Sequence, residues 1–364
     1  MLIQKNIPLA PLTTFKVGGP ARYFVEAASE EAVKAAVAHA AERQWPLFVL
    51  GGGSNLVIAD EGWPGLVLKV AISGITGSGI TQPSLARPTD TGDEVFHVGA
   101  GHDWDSFVAY TVREGYAGIE CLSGIPGTVG GTPVQNVGAY GQEVADTIRQ
   151  VRVLEIATGQ IKELSNIDCG FAYRSSIFNS TQRGRYIVLQ VTYRLMKNGA
   201  PRIEYADLKK HFSGLGGTPS LQQVRDAVRA VRQSKAMLIV EGDDDCRSAG
   251  SFFKNPVVGF EEADRIKVLA HELAPGEDLP QYPGENGQIK LSAAWLVEQA
   301  GIHKGYGRGP VGTSRKHALA IVNKGGARAR DIMALKNEIQ QRVVNIWGVR
   351  LDPEPVFVGF SEEM

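Results

Sequence analysis

The stretch with the greatest capacity for chemistry runs from Gly118 to Gly141. Seven of its residues are glycine, two are proline (Pro126 and Pro133), and none is lysine or arginine. Glycine reaches φ > 0 and lets the main chain approach a ligand closely. Proline stiffens the path. Successive bare N–H groups can then cradle an anion without a cationic side chain. The plain alternative is a turn-rich connection between two strands, but a cluster this long, with apolar residues threaded through it, fits a buried cofactor loop better. A second loop, Gly51, Gly52, Gly53, Ser54 and Asn55, follows the apolar run 46–50 and precedes Leu56, Val57 and Ile58. Strand, glycine loop, hydroxyl and amide in that order make a diphosphate cradle, with Ser54 and Asn55 as side-chain donors. The chain carries no Walker loop, and Gly99-Ala100-Gly101 and Gly305-Tyr306-Gly307 lack the third glycine of a dinucleotide fingerprint. A nucleotide cofactor therefore calls for a scaffold other than the Rossmann fold.

Further motifs continue the pattern in order: Thr14-Phe15, then Gly124-Ile125-Pro126-Gly127, Asn136 through Gly141, Tyr173-Arg174, Ser248 through Pro256, and Pro353-Glu354-Pro355. Together they resemble the UDP-N-acetylenolpyruvoylglucosamine reductase family, over nearly the whole chain from about residue 13 to 359. The segment 203–208 resembles the branch with an extra substrate-binding tyrosine. The resemblance implies an α+β protein: a two-subdomain FAD-binding module of the vanillyl-alcohol-oxidase/PCMH type, then a separate α+β substrate-binding domain. It implies non-covalent FAD, held by Gly51, Gly52, Gly53, Ser54, Asn55, Ser123, Gly124, Ile125, Gly127, Asn136, Gly138, Ala139, Tyr140 and Gly141. NADPH would be the hydride donor and UDP-N-acetylglucosamine enolpyruvate the substrate, with UDP-N-acetylmuramate as product for peptidoglycan. No dedicated NADPH loop is visible; family members let NADPH and substrate use one site in turn.

The implied second step is a conjugate addition. Hydride enters at the methylene carbon, charge flows onto the carboxylate as an enolate, and a proton must reach the neighbouring carbon. Such a site needs a cation at the carboxylate and a positioned proton source. The resemblance assigns Arg174, Ser251 and Glu354. A guanidinium offers a carboxylate two parallel donors and stays charged, although most arginines form surface ion pairs. Serine is a weak acid, but an aligned weak acid suffices for a strongly basic enolate carbon; the ordinary role of a serine after glycine is to close a turn. Glu354 lies before Pro355, which favours an extended, rigid mount. Beside an enolate it should be protonated or held by Arg174. Tyr173, Tyr205, Lys235, Asn255 and Gln299 resemble substrate contacts, against the ordinary readings of packing for Tyr173 and a solvated helix end for Lys235.

The whole chain sets bounds. Its 364 residues suit two or three domains. A net charge of −1 with no basic stripe argues against nucleic acid. Cys121, Cys169 and Cys246 lie far apart and are odd in number, which fits a reducing cytoplasm. No histidine spacing marks a metal site. No apolar run reaches the ~18 residues of a membrane span, and no signal sequence opens the chain. The expectation is a cytoplasmic protein, monomeric or weakly oligomeric, without membrane partners.

Positioning these residues requires a frame. Ser29 reads as the cap of a helix with Val33, Ala36, Val37 and Ala40 on one face. Runs 46–50, 56–58 and 66–70 read as strands, so 1–70 is an α/β subdomain. Asp103 caps a helix through Glu114. Runs 95–98, 151–156, 160–164 and 186–195 read as antiparallel strands of a second subdomain, 71–212. The polar stretch 80–94 reads as a mobile loop or hairpin tip. The glycine-rich run 211–220 marks the boundary to a C-terminal domain, 213–364. That domain opens with a helix, 221–234, basic on one side (Arg225, Arg229, Arg232). Further helices at 291–300 and 328–347 end at Gly301 and Gly348, and 318–322 and 356–358 read as strands.

Two other functions are compatible with the motifs. One is a vanillyl-alcohol-type oxidase, in which flavin is often attached through histidine or cysteine; His102 and Cys121 are the candidates beside a glycine loop. Flavin that stays with acid-precipitated protein would mark it. The other is a nucleotide-sugar sensor, for which Arg174, Ser251 and Glu354 would have no use.

Overall fold

The computed structural model describes residues 1–77, 92–307 and 309–360. The chain forms two compact units. One comprises Met1–Ile7, Ala21–Gly53 and Trp63–Gln233, the other Pro8–Pro20, Ser54–Gly62 and Ser234–Met364.

The first unit carries two larger sheets and the two-stranded pair Gly138–Ala139 with Gln142–Glu143. One has the strand order Gln4–Pro8, Pro20–Ala27, Trp63–Val70, Leu47–Leu50. The last three run parallel, with Phe24 opposite Val67 and Val49 opposite Leu68. Parallel neighbours need a crossover, and helix Glu30–Glu42 follows Pro20–Ala27 in the chain and leads to Leu47–Leu50. Ser29 starts that helix by accepting the Ala32 amide at 3.2 Å, and Val33, Ala36, Val37 and Ala40 are its buried face. The other sheet is antiparallel, in the order Ile161–Ser165, Ile148–Glu155, Tyr186–Lys197, Asp93–Gly99, Ile75–Gly77. Helix Trp104–Arg113 is capped by Asp103, which accepts the Ser106 amide at 2.8 Å. The loop or hairpin tip expected over 80–94 lies outside the described residues up to 91, and 93–94 already belong to a strand.

The second unit is built on helices Phe260–Leu273, Ala293–Gln299 and Ala329–Trp347 and on short strands. Trp347 is fully buried, stacks at a tilt on Trp295 (5.3 Å between ring centroids) and donates its indole N–H to the Leu296 carbonyl at 3.0 Å. Gly348, at φ +73, ends the long helix as expected. Residues 318–320 are buried loop, and the strand there is Ile321–Asn323. The spacing Gly307-x-Gly309-x-x-Gly312 leads into strand Val311–Thr313 and opens no helix, so it is no dinucleotide fingerprint.

The units do not follow the boundary expected at 212/213. Helix Leu221–Ser234 falls almost wholly in the first unit because its arginines pair with Asp105, 120 residues upstream. Residues 54–62 belong to the second because Leu56–Ile58 pairs parallel with Val356–Val358 and Asp60 accepts the Ala329 amide at the start of the long helix, at 2.8 Å.

Candidate active site

In the first unit the two glycine loops touch. A Cβ on Gly52 would fall 2.5 Å from the Gly127 Cα, and one on Gly51 3.1 Å from the Thr128 hydroxyl oxygen. Gly53 (φ +64) and Gly127 (φ +129) hold backbone conformations that side chains resist. Among the described residues, the amides of Gly51, Gly52, Gly53, Ile125 and Gly127 donate to no protein acceptor. Abutting loops with unengaged N–H groups fit the diphosphate of a flavin dinucleotide.

The upstream end of the long loop is anchored differently from the sequence expectation of bare donors throughout. The Ser123 amide goes to the Glu120 carbonyl at 3.3 Å and its hydroxyl to the same carbonyl at 2.6 Å. The Gly124 amide goes to Asp105 Oδ1 at 2.6 Å. Arg225 grips both Asp105 oxygens at 2.6 and 2.8 Å, and Arg229 adds a contact at 2.7 Å. Arg232, buried, donates to the Gly124 carbonyl at 3.1 Å and is hydrogen-bonded to Tyr140. The basic face of the 221–234 helix is therefore tied to the cofactor loop and is not an open cationic surface. Burial alone would push the Asp105 carboxyl up; the Arg225 hydrogen bonds, the Gly124 amide and the two guanidinium charges reverse this and hold it low. Glu120 is fully buried and accepts from the Gly118 amide, the Gln142 side chain and the Arg202 amide. Next to it Cys121 is buried, donates its thiol to the Arg202 carbonyl, and is pushed up by burial. A protonated, enclosed thiol is a poor flavin attachment point.

Arg174 sits on the downstream end of the same loop. Its Nη1 is 3.1 Å from where a Gly138 Cβ would lie, so the arginine rests on bare glycine backbone. Arg174 (φ +54), Asn136 (φ +45) and Tyr140 (φ +51) all hold left-handed conformations unusual for side-chain-bearing residues, the kind of local strain that collects at functional sites. Asn136 fixes the turn: its side-chain oxygen accepts the Ala145 amide at 3.1 Å and its Nδ2 donates to Glu143 at 2.8 Å and to the Ala172 carbonyl at 3.1 Å. Asn179 donates to the Arg174 carbonyl at 3.1 Å, and the guanidinium stands 5.4 Å from the Tyr173 ring. Tyr205 meets Tyr140 edge-on at 5.4 Å, and Gly141 adjoins Glu204. Arg174, Tyr173, Asn136 and Gly138 thus gather at one place, with Ala139, Tyr140 and Gly141 following in the same loop and Tyr205 beside Tyr140.

The second unit gathers the other two catalytic candidates. The Glu354 amide donates to the Phe252 carbonyl at 2.8 Å, Pro353 bridges Phe253, and the Lys254 amide donates to the Asp352 carbonyl at 2.9 Å. This antiparallel contact places Ser251 one residue from the main-chain partner of Glu354. Ser251 follows Gly250 (φ +74) and is half-buried, and among the described residues its hydroxyl has no protein partner. Asn55 joins them: its Nδ2 donates to the Glu354 carbonyl at 3.2 Å. Lys235 follows the helix end and is one of two positive charges, with Lys304, acting on His317; burial first and these lysines second push that imidazole down to about 4. In the acidic run 240–247, Asp245 accepts from Ser314 at 2.6 Å and Asp243 from Lys316 at 3.0 Å. Asn255 accepts the Ala293 amide at 2.9 Å at the start of helix Ala293–Gln299, which Ser292 caps. Gln299 donates to Glu277 at 3.1 Å.

Two family models match the chain. The FAD binding domain matches residues 21–165, and the UDP-N-acetylenolpyruvoylglucosamine reductase C-terminal domain matches residues 242–358. The UDP-N-acetylenolpyruvoylglucosamine reductase of Thermobifida fusca is 46% identical over 360 residues, 98% of each chain. The chain belongs to the UDP-N-acetylenolpyruvoylglucosamine reductase family. The Streptomyces coelicolor reductase is 42% identical, with 98% of this chain and 90% of the relative covered. The solved reductase (MurB) of Thermus caldophilus superposes with a TM-score of 0.65 at 25% identity, over 98% of this chain and 100% of that one. The expected fold class holds in this reductase: an FAD-binding domain followed by a separate C-terminal domain. Two residues near these sites escape a reading of the sequence. Asp105 reads there only as part of a helix, although three arginines spaced four and three residues apart offer it a complementary charge. His317, whose imidazole feels the charge of Lys235, has no spacing to mark it.

Proposed function

We propose that the chain reduces UDP-N-acetylglucosamine enolpyruvate to UDP-N-acetylmuramate with NADPH, using non-covalently bound FAD, for peptidoglycan precursor synthesis. The observation that carries this reading is the pair of touching glycine loops with unengaged amides in a chain of this family. FAD supplies the hydride chemistry, acceptance from NADPH and delivery to the enolpyruvyl methylene carbon. Gly51, Gly52, Gly53, Ser54, Ile125 and Gly127 hold its diphosphate through main-chain and hydroxyl donors. Arg174 forks onto the substrate carboxylate and stabilises the charge that gathers there. Ser251 gives its proton to the neighbouring carbon. Glu354, its amide held by the Phe252 carbonyl next to Ser251, acts with Ser251 in the proton step. Lys235, with Tyr205, Tyr173, Asn255 and Gln299, contacts the nucleotide sugar.

On this reading the FAD-binding subdomains, expected over 1–70 and 71–212, are carried by the first unit, which leaves out 8–20 and 54–62 and takes in 213–233, and the second unit binds substrate. The protein works in the cytoplasm as a monomer or weak oligomer, with neither nucleic acid nor membrane as a partner. Among the described residues no helix is long and apolar enough to cross a membrane. NADPH and substrate use one site in turn, which predicts parallel initial-rate lines and inhibition at high substrate. The decisive assay is NADPH consumption by the yellow protein with and without UDP-N-acetylglucosamine enolpyruvate. Turnover must depend on that substrate and yield UDP-N-acetylmuramate; NADPH oxidation that ignores it would overturn the proposal.

A further inference from the structure

Asn55 closes a glycine loop, and from sequence it reads as a flavin ligand. Its side chain does something else. Nδ2 donates to the Glu354 main-chain carbonyl at 3.2 Å, and the Asn55 carbonyl accepts the Val356 amide at 2.9 Å. Asn55 therefore grips the chain on both sides of Pro355, at the mouth of the parallel pairing between Leu56–Ile58 and Val356–Val358. The Glu354 amide is held independently by the Phe252 carbonyl at 2.8 Å. Three restraints converge on Glu354. Its N–H is fixed from the Ser251-Phe252 segment, its carbonyl is fixed by Asn55, and Pro355 confines its φ and ψ to the extended region. The backbone that carries its carboxyl is thereby held on both sides.

We infer that Asn55 is a positioning residue for Glu354, setting the carboxyl relative to Ser251, rather than a direct ligand of the flavin. The residue type fits the task. An amide of this length supplies the N–H donor that a carbonyl needs. An aspartate in its place would bring an acceptor only, with a negative charge against the carbonyl oxygen. A displacement of roughly 1 Å in a reacting group can cost about 10²-fold in rate, so one amide hydrogen bond can matter to catalysis out of proportion to its strength.

The inference rests on Glu354 acting in the proton step, and the test separates the two claims. Wild type, Asn55→Ala, Asn55→Asp, Glu354→Gln and the double variant Asn55→Ala/Glu354→Gln would be compared without oxygen. Three readouts apply: bound FAD per chain, bleaching of the flavin by NADPH, and its re-oxidation by UDP-N-acetylglucosamine enolpyruvate. Asn55→Ala and Asn55→Asp should retain FAD and bleach at the wild-type rate but re-oxidise about tenfold or more slowly. In the Glu354→Gln background, removing Asn55 should add less than about twofold, because both changes act through one group. The pH profile of re-oxidation should move in Asn55→Ala and be flat to the Asn55 change once Glu354 is replaced by glutamine. Loss of FAD, equal slowing of both half-reactions, or a full additional penalty in the double variant would overturn the inference. Wild-type re-oxidation in Glu354→Gln would remove the role of Glu354, and the inference with it.

Discussion

The Gly124 amide donates to Asp105 Oδ1 across 2.6 Å, and the same carboxylate is forked by Arg225. The link runs from the basic helix, through one carboxylate, to the backbone of the cofactor loop. A charge-assisted hydrogen bond contributes roughly 1.5–3 kcal/mol, so Asp105→Ala should weaken FAD binding by about tenfold or more. Asp105→Asn keeps an acceptor for Gly124 but loses the attraction to Arg225 and Arg229, and should fall between. The carboxyl is held below its ordinary range in the folded protein. Its contribution is therefore present above the unfolded value of about 3.9 and lost as pH falls through the folded one. Flavin titration of the apoprotein checks this; wild-type affinity in Asp105→Ala would contradict it.

Gly52→Ala should yield a folded but colourless protein. The new Cβ would meet the Gly127 Cα at 2.5 Å, and backbone cannot move aside as a flexible side chain can. Gly127→Val should behave likewise, since φ +129 excludes a branched residue. Circular dichroism reports the fold and the visible spectrum reports the flavin. Full flavin in either variant would mean that the loops do not cradle it.

How much of this is legible in the sequence depends on the range of the interaction. Ser29, Asp103 and Gly348 mark helix ends by local chemistry, and all three do so in the structure. The motifs around Gly51, Gly124, Arg174, Ser251 and Glu354 are likewise readable as segments. The affiliation of segments is not. Residues 54–62 join the C-terminal unit through a strand pairing with 356–358, some 300 positions away, and Arg225 is drawn to Asp105 across 120. Composition and periodicity carry no information about such partners. The helix Phe260–Leu273 goes unread as well; its outward face carries Phe260, Val268 and Leu273, which blurs the apolar-polar alternation that marks a helix.

Arg174→Lys should bleach with NADPH at a normal rate and re-oxidise slowly. Lysine keeps the charge but cannot match a carboxylate with two parallel donors. It would also have to hold φ +54, so thermal melting of the variant should accompany the kinetics. Equal loss in both half-reactions would make Arg174 a structural or diphosphate-binding residue.

His317 predicts an acid limit to stability. Its folded value is pulled from 6.5 to about 4, by burial first and by Lys235 and Lys304 second. The unfolded chain then binds the extra proton at mildly acidic pH, so stability is lost as pH falls from about 6.5 toward 4. His317→Gln should flatten the denaturation midpoint over that window. An unchanged slope would show that His317 does not govern it.

The central claim is that hydride delivery and protonation are served by different groups, with Ser251 as the proton donor. The most direct measurement mixes Ser251→Ala with NADPH in the absence of oxygen and then adds UDP-N-acetylglucosamine enolpyruvate. The account predicts bleaching at close to the wild-type rate, followed by re-oxidation slower by about 10²-fold or more, the scale of a lost general acid, with partial recovery in Ser251→Cys. Re-oxidation of Ser251→Ala at the wild-type rate would contradict it and move the proton to another group, Glu354 first.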